Sequence, residues 1–104
     1  MPVTDLWTWG GAFFGHRDGN ELWSHDGRHV GRCDGDDIYG PSGRYLGEIR
    51  NPDRLITAKS KLGRRRGSFR PWASRAGQVP HASHVGYVMS AGYQDFPAPD
   101  EPAG

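Results

Sequence analysis

The feature that most constrains this chain is a period of sixteen residues. Written in rows beginning at Leu6, Leu22, Ile38 and Arg54, the sequence places Gly15, Gly31, Gly47 and Gly63 in one column. The residue before each is apolar: Phe14, Val30, Leu46 and Leu62. Gly11, Gly27 and Gly43 share a second column, with Lys59 as the exception, and Trp7, Trp23, Tyr39 and Leu55 share a third. Asp18-Gly19 aligns with Asp34-Gly35, and Asn51 falls in the column of those two glycines. Several independent columns that agree at one period mark a structural repeat.

Each row reads as strand, turn, strand, turn. Leu22-Trp23-Ser24 is β-prone, and His25-Asp26-Gly27 is a turn, since Asp-Gly favours the positive φ of tight hairpins. In the third row Gly40-Pro41-Ser42-Gly43 does the same work. The 16 Gly and 8 Pro fit an all-β fold rich in tight turns, and the 4 Trp, 4 Tyr and 4 Phe supply bulk for a small core. The glycine inside each return strand marks either a bulge or a close approach of backbones. The expected architecture is a small, shallow, closed barrel of four β-hairpins around a pseudo-four-fold axis, followed by an irregular C-terminal segment. Phe14, Val30, Leu46 and Leu62 would form one apolar ring, and Trp7, Trp23, Tyr39 and Leu55 a second. One domain is expected over residues 6–97, with repeats at 6–21, 22–37, 38–53 and 54–69, and a disordered tail at 98–104.

The run from Gly11-Ala12-Phe13-Phe14-Gly15 to Gly47-Glu48-Ile49, and the close Ala91-Gly92-Tyr93-Gln94-Asp95-Phe96-Pro97, resemble the bacterial four-fold β-flower domains. The resemblance covers about residues 6–97. It implies a flower-like barrel of four hairpins, loosely similar in shape to the tubby C-terminal domain, which binds lipid headgroups. It implies no catalytic residue and no established function. Lys59, where a glycine is expected, makes the fourth hairpin the most divergent petal.

Charge is distributed unevenly. Residues 59–76 carry Lys59, Lys61, Arg64, Arg65, Arg66, Arg70 and Arg75 with no acid, a local charge of +7; the whole chain is +1, so the remainder is −6. Gly67 and Pro71 argue against a long regular element there, so the segment is expected to be a solvated basic loop. Phe69 and Trp72 interleave with the cations, a pattern that suits phosphates and stacked bases, or an anionic membrane surface. The plain alternative is a solvated face. Residues 84–89 are expected to form a short strand or to plug the barrel, with Val85, Tyr87 and Met89 on one face.

Other groups carry less chemistry. His25, His29 and Cys33 recur every four residues, but Asp26-Gly27 forbids the helix that would align them, so no metal site is expected. Asp34, Asp36 and Asp37 lack the ligand pattern of a calcium loop. His16, Arg32, Glu48 and Arg64 follow the glycine column and would stand around one rim, with Arg28 and Arg44 at matching places, as a polar mouth over an apolar well. No nucleophile motif or phosphate-binding loop is present, so no catalysis and no cofactor are expected. The single cysteine excludes an internal disulfide. The absence of a membrane-length apolar run and of a signal-like start leads to the expectation of a cytoplasmic protein.

The expected function is therefore a non-catalytic binding or interaction module for an anionic or amphipathic ligand, a lipid or a peptide. Phe14 and Leu46, with Val30 and Leu62, would line its core or channel, and Arg64, Arg65, Arg66 and Arg70, with Trp72, would supply charge and stacking. One alternative is a nucleic-acid-binding protein using the 59–76 loop; another is an accessory domain for a protein partner. Ligand identity and oligomeric state stay open.

Overall fold

The structure, a computed structural model, describes residues 3–97, so the tail expected at 98–104 lies outside the described residues. Eight strands form one closed sheet: β1 (Val3–Thr8), β2 (Phe13–Asp18), β3 (Glu21–Ser24), β4 (His29–Asp34), β5 (Asp37–Tyr39), β6 (Tyr45–Arg50), β7 (Arg54–Ala58) and β8 (Tyr93–Asp95). Consecutive strands pair in order, and β7 also meets β1 in a short parallel contact, Trp7↔Arg54 and Thr8↔Leu55, which closes the ring. A single 3-10 turn, Lys59–Lys61, follows β7. No helix among the described residues is long and apolar enough to cross a membrane.

The first three hairpins are copies of one another in register. Leu6 faces Gly15 and Trp7 faces Phe13; Leu22 faces Gly31 and Trp23 faces His29; Ile38 faces Gly47 and Tyr39 faces Tyr45. Phe14, Val30 and Leu46 are thus the extra residue of a β-bulge, which re-aims a side chain toward the interior. Both readings of the glycine column hold together. A Cβ on Gly31 would lie 2.7 Å from the Tyr39 carbonyl oxygen, and one on Gly47 2.6 Å from that of Ile56. The backbone that approaches is the next strand, not a shared axis.

The core gathers Leu6, Leu22, Ile38 and Leu55 with Phe14, Val30, Leu46, Cys33 and Phe96. Side chains fill the interior, as small barrels require. The expected apolar channel is therefore occupied by Phe14 and its neighbours, with Phe14 only 1% exposed.

The fourth hairpin departs from the pattern twice. Two residues join β2 to β3 and β4 to β5, but three, Asn51-Pro52-Asp53, join β6 to β7. The extra residue shifts β7 by one, so Leu55 joins Leu6, Leu22 and Ile38 rather than the Trp7, Trp23, Tyr39 ring. Asn51 keeps the left-handed conformation of its column, φ 57° against 62° at Gly19 and 63° at Gly35. Second, the chain does not return at Leu62-Gly63. Leu62 is 40% exposed, not core, and the return strand is β8, which pairs with Ile56, Thr57 and Ala58. Phe96 takes the place expected of Leu62: it is buried with its ring edge-on to Phe14 at 5.3 Å. Phe96 plugs the core, and residues 84–89 form neither a strand nor a plug.

Candidate functional site

Between the 3-10 turn and β8 the chain has no regular structure, yet it is not a free loop. It lies across the hairpin turns as a strap. Arg66 N–H donates to Gly43 O at 2.8 Å and Phe69 N–H to Pro41 O at 2.9 Å. Nine residues later Arg75 N–H donates to Gly27 O at 2.9 Å and Gln78 N–H to His25 O at 2.8 Å. Nine later again His84 N–H donates to Gly11 O at 2.8 Å and Tyr87 N–H to Trp9 O at 3.0 Å. The strap visits the third, second and first hairpins in turn, against the chain order of the hairpins, and re-enters the sheet as β8.

A second repeat explains this, and sequence reasoning missed it. Arg66, Arg75 and His84 recur every nine residues, as do Pro71 and Pro80, Ala73, Ala82 and Ala91, and Ser74 and Ser83. The signal was legible but was hidden by reading the segment as a basic loop. The column of Gly11, Gly27 and Gly43 serves this docking. Each has φ near +90°, and a Cβ there would run into the carbonyl oxygen of His84, Arg75 or Arg66 respectively. The aromatic column serves it too. The Arg66 guanidinium covers the Tyr39 ring at 4.8 Å, Arg75 covers Trp23 at 3.5 Å, and His84 stacks on Trp7 at 3.9 Å. The two arginine–ring contacts contribute about 0.5–2 kcal/mol each.

The same docking consumes much of the charge expected to face a ligand. Lys61 bonds Glu48 at 2.9 Å and Asp37 at 3.3 Å, and Arg64 lies 3.7 Å from Asp37. Arg66 pairs with Asp34 at 3.0 Å and Arg75 with Asp18 at 3.3 Å. Lys59, Arg65 and Arg70 have no acidic partner among the described residues. Glu48 anchors this network. Burial alone would push its carboxyl up, but hydrogen bonds from Lys61, Arg50 and Tyr45 outweigh burial and hold it below the usual range. Lys61 is held above the usual lysine range by its bond to Glu48.

The four residues expected around one rim are dispersed among these contacts. His16 Nδ1 meets Gln78 Oε1 at 2.6 Å, Arg32 pairs with Glu21 at 3.0 Å, and Glu48 is buried in its network. Leu46 and Phe14 belong to the core. Leu46 also borders a cavity of about 290 Å³ with Tyr45, Leu62 and Pro97, while Phe14 meets no surface. His25, His29 and Cys33 do not converge, and among the described residues no three metal-ligating side chains cluster. Burial raises the Cys33 thiol to about 11, which keeps it unreactive at neutral pH.

One part of the strap breaks the pseudo-symmetry. His29 stands where the other hairpins have Phe13 and Tyr45. Its side chain is fully buried, and its Nδ1 accepts the Trp72 amide at 2.9 Å. That bond leaves Nε2–H to donate to Glu21 Oε1 at 2.6 Å. Trp72 rests on His29 at 5.1 Å and near Trp23 at 6.0 Å, yet half of it stays exposed. Beside it opens a groove of about 270 Å³ walled by Val30, Pro41, Pro71 and Trp72, with Arg28 at its edge. Arg70, one of the cations without an acid, precedes Pro71. No protein-family model, curated protein or solved structure matches this chain.

Proposed function

We propose that this protein is a non-catalytic binding module for an anionic amphipathic ligand, taken in the groove beside Trp72. The observation that carries the reading is a half-exposed indole, held by a buried His29–Glu21 pair, over an apolar groove edged by arginine. The indole offers a large apolar face with a polar N–H edge, which suits an amphipathic ligand. The groove is small against ordinary ligand pockets of roughly 300–1,000 Å³. It suits one short apolar chain or a single peptide side chain, not a two-chain lipid. Arg28, already 3.3 Å from Asp26, and Arg70 would meet the anionic end. The barrel of repeated hairpins and its closing Tyr93–Phe96 segment support placing the chain with the four-fold β-flower domains. Pairing of Lys61, Arg64, Arg66 and Arg75 with acids weighs against nucleic acid, whose affinity comes from neutralising a row of several phosphates at once.

Titration with decanoate, followed by tryptophan fluorescence and calorimetry, tests this. Saturable binding is expected, lost by about tenfold or more in Trp72→Ala, weakened in Arg70→Gln, and absent for decyltrimethylammonium. Equal binding of the cationic analogue, or binding indifferent to Trp72→Ala, overturns the reading. Tight, strongly salt-dependent binding of a single-stranded oligonucleotide would put nucleic acid in its place.

A further inference from the structure

A second cleft, of about 200 Å³, lies between β4 and the strap, where Arg32, Cys33, Asp34, Tyr39, Arg66 and Phe69 meet. Both guanidiniums are held in place rather than free. Arg32 covers the Phe69 ring at 4.4 Å and its Nε bonds Glu21 at 3.0 Å. Arg66 covers Tyr39 at 4.8 Å and its Nε bonds Asp34 at 3.0 Å. Pinning an arginine through Nε fixes the direction of its terminal nitrogens; Arg66 Nη1 also donates to the Arg65 carbonyl at 3.3 Å, which leaves its Nη2 to face a ligand. Tyr39 is buried, and its hydroxyl has no hydrogen-bond partner among the described residues. A buried hydroxyl without a partner is costly, and a ligand acceptor reaching it would relieve that cost.

The pseudo-symmetry shows what this place looks like when it is only structural. One repeat earlier the positions of Arg32 and Cys33 hold His16 and Arg17, and nine residues later along the strap the position of Phe69 holds Gln78. There His16 and Gln78 hydrogen-bond to each other at 2.6 Å. Here a cation, a small thiol and an aromatic ring replace those groups and line the cleft. Glu21 and the largely exposed Asp34 balance the two cations, so a ligand anion would be met by the guanidinium nitrogens those acids leave unbonded. At about 30 Å³ per water the volume holds roughly seven waters, so the ligand is small.

We infer that this cleft is a binding site for a small oxyanion, a carboxylate or a phosphate, gripped by Arg32 and Arg66 above the Tyr39 hydroxyl. The site is separate from the groove beside Trp72 and does not depend on it. The test titrates the intact chain with benzoate and with inorganic phosphate. It follows backbone amide shifts at residues 32–34, 39 and 66–69. Saturable shifts confined to those residues are expected; whichever probe saturates first identifies the oxyanion. Arg66→Gln and Arg32→Gln each weaken binding about tenfold, and Lys59→Gln leaves it unchanged. Tyr39→Phe deletes only the orphaned hydroxyl, keeps the fold, and weakens binding several-fold. No saturation by either probe overturns the inference, and so does equal loss in Lys59→Gln, which would mark general attraction to a basic surface. Unchanged binding in Tyr39→Phe would remove the hydroxyl from the site.

Discussion

Glu48 concentrates the polar energetics of the molecule in one residue. It is 6% exposed and accepts hydrogen bonds from Tyr45, Arg50 and Lys61, joining β6 to the start of the strap. Its folded carboxyl lies below its unfolded range. Its stabilisation is therefore full above about pH 4.3, the unfolded value, and drains away as pH falls through the folded one. Lys61 has the opposite sign. Its raised ammonium stabilises below the ordinary lysine range and loses that effect as alkali titrates the folded group. Glu48→Gln is expected to cost about 2 kcal/mol at neutral pH and to flatten the acid limb of the stability curve. Urea unfolding at neutral pH and at pH values below the carboxylate range checks both. A variant that keeps the full acid limb would show that other carboxylates, not Glu48, carry it.

Among the elements, the hairpin turns do two tasks at once, reversing the chain and seating the strap. Gly19 and Gly27 separate the two. Both have positive φ, but a Cβ on Gly19 meets open space whereas one on Gly27 meets the Arg75 carbonyl. Gly19→Ala should cost only backbone strain, about 1–2 kcal/mol. Gly27→Ala should cost more and also loosen the strap, so that trypsin cuts after Arg75 faster than in Gly19→Ala. Equal cutting in the two variants would mean that the strap does not rest on this turn. The three hairpins were legible in the sequence because bulge, glycine and turn recur with them at sixteen residues. The fourth was not, because one inserted residue at Asn51-Pro52-Asp53 moves Leu55 out of column. The strap is legible in the sequence only as the nine-residue recurrence of Arg66, Arg75 and His84. Where it docks is not, because its seats are backbone carbonyls and its cations look like a solvated run until their partners Asp18, Asp34 and Asp37 are near. Of the residues expected to bind, Trp72, Arg66 and Leu46 border a groove, cleft or cavity, while Phe14 is closed inside the core.

At the scale of the whole molecule, two repeats of different length run around one barrel in opposite directions. The sixteen-residue units build the wall, and the nine-residue units bind its turns. The last of the chain's described strands, with Phe96, completes the sheet that the first fifty-odd residues leave short of its fourth return strand. Both proposed sites lie where the strap crosses β4, and both depend on its being docked. Amide hydrogen exchange of the intact chain, read residue by residue, tests that docking most directly. Strap residues are almost all exposed, so an undocked segment would exchange uniformly fast. Docking predicts slow exchange at Arg66, Phe69, Arg75, Gln78, His84 and Tyr87, alternating with fast exchange at Val79 and Val85. Uniform, unprotected exchange from residue 64 to residue 92 would contradict it.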